Sequence, residues 1–297
     1  MTFGDMILNQ VLSGLVTASN FFLVAAGLTL VFGIMGVLNN AHTSFYMIGA
    51  YFMWTFHQIF RPGPLIFLVA AIMTLLTVAA VGWITERLLM RHLYSRPFPD
   101  VLMITFALLY IFEDIVKMGW GTLGRTIPVP PMGFGQAIKI MGNSFPAYNI
   151  FLICLATIVG GGTWLLVNKT KFGRMVIACQ TNRETAGALG IPIPLVYTGV
   201  FVLGVVLAGL GGIAFAPIGY IRLGIDLRVL MIAFCVMVIG GMGSFSGTIL
   251  GAIICGETYS LSLLVVPELA TGFIFMVTGI ILIVRPWGLL GVVGREH

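Results

Sequence analysis

The chain has 297 residues, of which 59% are hydrophobic and only 8% are charged, and its formal net charge is +5. A soluble domain carries roughly 25% charged residues, so this composition excludes a water-soluble globular protein and predicts an all-α, polytopic membrane protein. The excess of basic residues fits the positive-inside rule and does not indicate nucleic-acid binding. The first residues lack a basic segment and a cleavage site, so we expect no cleaved signal peptide.

Apolar runs of membrane-spanning length follow one another along the chain. They lie at about 7–38, 44–60, 65–86, 101–119 and 147–167, and three or four more lie between 192 and 284. As helices, runs of about 20 residues cross about 30 Å of hydrocarbon. The basic stretch 86–100 is expected to be a loop, and the Gly- and Pro-rich stretch after Trp120 a longer extramembrane loop or hairpin. We predict one transmembrane domain, 1–297, with about eight to ten spans.

Two interruptions break this apolar pattern. The first is "VLNNAHTSF" at 37–45, and the second is the glycine-rich "IGGMGSFSG" at 239–247. Non-helical backbone at membrane depth survives only when it is buried in protein or lines a watery cavity. Paired breaks are typical of transporters built from internal repeats, but glycines also allow helices to pack closely. The pattern therefore predicts broken or re-entrant helices and leaves both explanations open.

Polar residues within apolar sequence are the candidates for the substrate path, because polar groups at membrane depth are expensive. In the fourth run, Glu113 and Asp114 precede Lys117 at spacings that permit an intrahelical ion pair, so a structural role and a transport role both stay open. A late run holds Glu257. The substrate-path candidates are Asn39, Asn40, His42, Ser44, Glu113, Gly241, Ser244 and Glu257.

A short polar stretch, "GRMVIACQTNRETAGALGI" at 173–191, separates two apolar runs. Thr181 and Glu184 have the spacing of a capping box at a helix N-terminus, and Gly190 stands where a left-handed C-terminal cap belongs. We therefore predict a self-contained helix of about eight residues. Its small apolar face, with Ala186 and Leu189, is expected to dock into a groove of a partner.

These residues resemble a known family. The stretch 173–191 is similar to the cytoplasmic coupling loop of ABC importer membrane subunits, in particular the branched-chain amino acid permeases. Further similarities are "VLNNAHTSFYMIGAY" to that family's "INFAHGEFYMLGAY", "ERLLMRHLYSRP" to the loop after its third span, "GGMGSFSGTILGAIICGE" to its Gly-rich segment and "RPWGLLG" to its C-terminal signature. The match is nearest to the shorter of the two homologous permeases in such importers.

The resemblance implies a type II-like importer permease in a bacterial inner membrane. Its implied partners are a second, homologous permease, two ATP-binding subunits and a periplasmic solute-binding protein. The implied solutes are branched-chain or other amino acids, with amides, urea or small carboxylates as alternatives. The coupling loop would cover about 168–192, and the implied ATPase-coupling residues are Gly173, Arg174, Asn182, Glu184, Ala186, Leu189, Gly190 and Ile191.

One departure from the family concerns charge. The family has Gly and Glu after the histidine, whereas this chain has Thr43 and Ser44, so a carboxylate is lost and the solute is left open. The chain has no Gly-Lys dipeptide, so it has no Walker A loop, and we expect no catalytic residue, metal or cofactor. The alternative function is a stand-alone secondary transporter that is driven by ions through the buried acids.

Overall fold

The computed structural model describes residues 3–60, 64–94, 96–129, 134–140 and 143–291. Its regular structure in these residues is helical except for one two-stranded hairpin and an isolated bridge between Arg125 and Ile221. The helices in chain order are α1 (Phe3–Met35), α2 (Ser44–Ile59), α3 (Pro64–Thr85), α4 (Arg91–Leu93), α5 (Phe98–Trp120), α6 (Ala147–Lys169), α7 (Lys171–Thr181), α8 (Arg183–Ala188), α9 (Ile193–Phe215), α10 (Ile225–Gly240), α11 (Phe245–Val265) and α12 (Ala270–Val284).

Among the described residues, 6 helices are long and apolar enough to cross a membrane. They are α1, α3 with its extension into α4, α6, α9, α11 and α12. Helices α2 and α10 have only 16 residues each, and α5 carries charges near both of its ends. Helices α2, α5 and α10 are therefore not among the six candidate spans. Whether they also cross the membrane, for a total of about eight to ten spans, stays a prediction.

The basic stretch after α3 is helical at both ends, so the predicted loop at 86–100 is wrong: of its described residues, only Tyr94, Arg96 and Pro97 lie outside helices. The chain continues from α3 through a π-helical turn, Glu86–Met90, into α4. Glu86 is buried, and its carboxylate accepts a hydrogen bond of 2.8 Å from the Thr198 hydroxyl of α9. This tertiary contact holds the helix together beyond the apolar run, and local composition carries no sign of it.

The Gly- and Pro-rich stretch before α6 contains the predicted hairpin. Strand β1 (Ala137–Ile140) pairs antiparallel with β2 (Asn143–Pro146). From this hairpin, the 23 residues of α6 lead to α7, a distance of about 34 Å at 1.5 Å per residue. The two ends of the bundle are called here the hairpin end and the α7–α8 end.

Helix α1 lies at the centre and packs on α9 and α11 through glycines. A Cβ atom on Gly27 would fall against the carbonyl oxygen of Gly204, and one on Gly256 would fall against the backbone of Ala18. Lipid tails are as apolar as the helix surfaces, so the hydrophobic effect does not drive membrane helices together. Close approach of their backbones stabilises the bundle through van der Waals packing instead. Glycine packing is therefore present in this fold alongside the two broken segments.

Candidate functional site

The segment predicted as one short helix is two helices. Thr170 begins α7, since its hydroxyl oxygen accepts a hydrogen bond of 3.1 Å from the Gly173 amide. Gly173 is buried where any Cβ would collide with the carbonyl oxygen of Val167 at the end of α6. Glycine at 173 thus lets the start of α7 pack directly against the end of α6, and α7 also packs on α1 and α9.

The N-terminal cap of α8 is Asn182, so the predicted capping box of Thr181 and Glu184 is wrong. The Asn182 side-chain oxygen accepts a 2.9 Å hydrogen bond from the Thr185 amide. Thr181 still belongs to α7, and its hydroxyl donates to the Ile177 carbonyl at 2.9 Å. Because α7 stays helical through residue 181, the first residue free to cap is one position later, and α8 has 6 residues rather than about eight.

The C-terminal cap of α8 is confirmed. Gly190 has φ +82. Its amide donates to the Gly187 carbonyl at 3.0 Å, and the Ile191 amide donates to the Ala186 carbonyl at 3.1 Å. This pair of bonds is a Schellman motif. With Asn182 at one end and Gly190 at the other, α8 is capped at both ends although it is very short.

Ala186 and Leu189 do not share a face, so the predicted docking face is wrong. Ala186 is buried against the bundle, in a small apolar cluster with Val176 and Val196. Leu189 is 77% exposed. It is the C-cap residue, where the chain leaves helical geometry, so the three-residue spacing no longer places it above Ala186. The exposed residues of the unit include Arg174, Glu184 and Leu189, and these form what we call the coupling surface.

A chain of ring and carboxylate contacts joins α8 to the bundle. The Arg183 guanidinium lies 5.3 Å from the ring centroid of Tyr197 in α9. Tyr197 meets Tyr94 edge-on at 5.3 Å, and the Tyr94 hydroxyl donates to Glu86 at 3.5 Å. Burial, with Glu86 alongside, raises the pKa of Tyr94 above its ordinary value, so this phenol keeps its proton. None of these contacts follows from sequence spacing.

The Asn-rich interruption is a true break. After α1 the chain turns at Gly36, which has φ +64, runs without regular structure to Asn39 and forms a short 3-10 turn, Asn40–Thr43, before α2. The side-chain amide of Asn40 donates to the Leu102 carbonyl of α5 at 3.3 Å. In the described part of the chain, the amide of fully buried Asn39 has no hydrogen-bond partner. The predicted broken helix is confirmed here.

The break ends at a buried contact between two helix N-termini. The Ser44 hydroxyl, at the start of α2, donates to Asp226 Oδ2 at 3.1 Å, and Asp226 lies in the first turn of α10. The other carboxylate oxygen accepts from the Leu227 amide at 3.0 Å. Both side chains are fully buried. A carboxylate at this position is stabilised by the positive ends of both helices.

Asp226 was not among the residues selected from the sequence. The available signal was an acid in the apolar stretch "LGIDLRVL", two positions after Gly224, which has φ +74. Glu113 of α5 lies nearby, since a Cβ on Gly224 would be 3.8 Å from its Oε1. His42, also fully buried, packs against Gly27 of α1. The structure thus brings Asn39, Asn40, His42, Ser44 and Glu113 around the start of α2 and α10.

The other candidates lie elsewhere. Gly241 and Ser244 form the break between α10 and α11 at the α7–α8 end, where Ser244 caps α11 by accepting from the Gly247 amide at 3.1 Å. Glu257 of α11 lies against Gly14 of α1. Its Oε2 is buried and has no hydrogen-bond partner among the described residues. These three residues do not join the group around Ser44.

The permitted ion pair in α5 does not form. Asp114 and Lys117 are both exposed and Glu113 is half-buried, and among the described residues neither acid makes a salt bridge to the lysine. The carboxylate of Glu113 is therefore not paired with Lys117 and can interact with the residues around Ser44.

The residues 10–284 match the family model described as "Branched-chain amino acid transport system / permease component". The chain belongs to this family. It is accordingly a permease subunit of the ABC importer type, and a stand-alone secondary transporter is not supported.

The chain is similar to curated permeases over nearly its whole length. It is 28% identical over 297 residues to the high-affinity branched-chain amino acid transport system permease protein BraD of Pseudomonas aeruginosa, covering 96% of this chain and 95% of the relative. It is 27% identical over 295 residues to LivH of Escherichia coli, with the same coverage. A probable LivH of Methanocaldococcus jannaschii is 27% identical, covering 97% and 94%. No solved structure matches the chain.

Proposed function

We propose that this permease pairs with a second, homologous permease in a bacterial inner membrane and imports amino acids, branched-chain ones foremost. A periplasmic binding protein would deliver the solute, and two ATP-binding subunits would drive its passage. The observation that carries this proposal is the α7–α8 unit. It is capped at both ends, exposes a coupling surface, and contacts the bundle through Arg183 and Tyr197.

The distribution of basic residues supports an orientation with the α7–α8 end in the cytoplasm. That end holds the basic residues that flank α3, α6, α7 and α12, which are Arg87, Arg91, Arg96, Lys169, Lys171, Arg174, Arg183 and Arg285. Fewer basic residues lie toward the hairpin end, namely Lys117, Arg125, Lys139, Arg222 and Arg228. By the positive-inside rule, the end richer in Lys and Arg faces the cytoplasm, where ATP-binding subunits are found.

The position of Asp226 bears on the missing acid at residue 44. In the family, a glutamate stands where this chain has Ser44. Here the Ser44 hydroxyl bonds a carboxylate that comes from α10 instead. We infer that Asp226 supplies the carboxyl group that Ser44 no longer provides at this site, which keeps amino acids among the solutes.

Reconstitution tests the proposal. The full-length chain, co-expressed with its partner subunits in liposomes, is expected to take up radiolabelled leucine only when ATP and the binding protein are both supplied. Uptake driven by a proton or sodium gradient in the absence of ATP would contradict it. The control is a variant of the ATP-binding subunit that binds ATP but does not hydrolyse it, which separates the effect of ATP binding from that of hydrolysis.

A further inference from the structure

A cavity of about 310 Å³ opens between α1, α9, α10 and α11, toward the hairpin end. Its walls are largely apolar, with Val16, Phe21 and Ile232 among the lining residues. A volume of roughly 300 Å³ suits a small metabolite. The polar groups of the lining are Thr17, Asn20, Tyr46, Tyr220, Arg222, Arg228 and Tyr259, and none of the described lining residues is acidic.

One of the two arginines, Arg228, lies in the first turn of α10. It stands about 12 residues before the helix ends, which places its Cα about 18 Å from the α7–α8 end of that helix. The side chain is exposed. The exposed side chain of Arg228 is therefore accessible from the cavity that it lines.

The remaining guanidinium N–H groups of the two arginines are the strong hydrogen-bond donors of the cavity. The Asn20 amide donates to the Gly211 carbonyl at 3.0 Å, and its oxygen accepts from the Tyr46 hydroxyl at 3.3 Å. Tyr259 accepts a 3.2 Å hydrogen bond from Arg228 Nη2, which fixes the guanidinium at the cavity wall. Asp226, two positions before Arg228, is fully buried and bonded to Ser44, so it is not among the lining residues.

We propose that this cavity binds the carboxylate of an apolar organic acid, with Arg222 and Arg228 on the carboxylate and the apolar body against Val16, Phe21 and Ile232. The guanidinium group matches a carboxylate with paired N–H donors. This inference rests on the proposed function and reduces the range of solutes that the permease is expected to transport. Amino acids and small carboxylates fit, whereas amides and urea lack the charge that two arginines select.

The test measures binding to the full-length chain in lipid nanodiscs, without nucleotide. The probes are 4-methylpentanoate and its uncharged isostere 4-methylpentanamide. We expect the acid to bind at least tenfold more tightly than the amide. Arg228→Gln should lower the affinity for the acid about tenfold and leave the affinity for the amide unchanged, and Arg228→Lys should restore part of the loss. Arg87→Gln, which alters an exposed arginine at the α7–α8 end, is the matched control.

Tyr259→Phe keeps the proposal testable if the arginine variants fold poorly, because it removes only the hydroxyl that holds Arg228. It should weaken acid binding severalfold. Equal affinity for acid and amide, or an Arg228→Gln variant that loses association with the second permease but binds the acid normally, would overturn the carboxylate site. Neither result touches the proposed function, which fails instead if ATP-dependent uptake is absent while acid binding persists.

Discussion

Ser44 and Asp226 lie 182 positions apart in the chain, yet the hydroxyl of one donates to the carboxylate of the other at 3.1 Å in a fully buried site. The contact joins the N-termini of α2 and α10, which both have 16 residues and both follow irregular segments. Two discontinuous helices thus meet at one carboxylate. In transporters, such half-helix N-termini are where substrates or ions bind.

Introducing a second acid beside Asp226 tests this contact. Ser44→Glu would force two carboxyl groups into one buried site, where like charges cannot both ionise. We expect this variant to lose most of its uptake and to melt at a lower temperature in detergent. The double variant Ser44→Glu with Asp226→Ser should recover both properties, because one carboxylate again lies between the helices. If the double variant is no better than the single one, the two positions do not share one charge.

Removing the acid alone should destabilise the protein. Asp226→Ala leaves the Ser44 hydroxyl and the Leu227 amide without their acceptor. The loss of one hydrogen bond to a charged group lowers the free energy of unfolding by up to about 3 kcal/mol. A lower midpoint in thermal unfolding of the full chain is the expected result. Asp114→Ala, which alters an exposed acid of α5, is the control and should leave the midpoint unchanged.

The cap of α8 distinguishes two neighbouring residues. Asn182→Ala removes the acceptor of the Thr185 amide and should destabilise α8 by about 1 kcal/mol. Thr181→Ala removes a hydroxyl that only back-bonds within α7, so it should have little effect. Coupling is measured as leucine transported per ATP hydrolysed. A larger effect from Thr181 than from Asn182 would contradict the assigned cap.

Gly190 and Glu184 test the coupling role itself. Gly190→Val forces a β-branched residue to φ +82, a left-handed conformation that costs about 1–2 kcal/mol. Space around Gly190 is open, so the damage is to the backbone alone. We expect ATP hydrolysis to continue while uptake falls, with membrane insertion intact. Glu184→Lys, on the coupling surface, should have the same effect. Gly190→Asn is the control, because asparagine tolerates this conformation; normal transport by the valine variant would refute the coupling role.

The contact of Arg183 with Tyr197 predicts a measurable interaction energy. Arg183→Gln and Tyr197→Leu should each lower the coupling ratio, and the double variant should lower it no further than the worse single one. Cation–π contacts contribute about 0.5–2 kcal/mol, so a double-mutant cycle on thermal stability should return a coupling energy within that range. Additive losses would mean that the two side chains act independently.

Part of the capping of α8 could be predicted from the sequence, and part could not. Gly190 was identified because a C-terminal cap is a local matter of backbone conformation, and prolines that follow it stop the helix. The N-terminal cap was misplaced by one residue because α7 continues through Thr181, and α7 is held in place by packing of Gly173 on the end of α6. Whether Ala186 faces the bundle or a partner also depends on that packing.

The sequence by itself determined the class of protein, its apolar helices and the two breaks, because lipid requires long apolar runs and each departure from them is conspicuous. Only the tertiary structure decided that Asp226 meets Ser44, that Arg183 reaches Tyr197 and that Arg222 and Arg228 share a cavity. The first two pairs lie on different helices, and Arg222 lies in the irregular segment before the helix that holds Arg228. Their meeting depends on how the helices cross, which no local pattern of residues specifies.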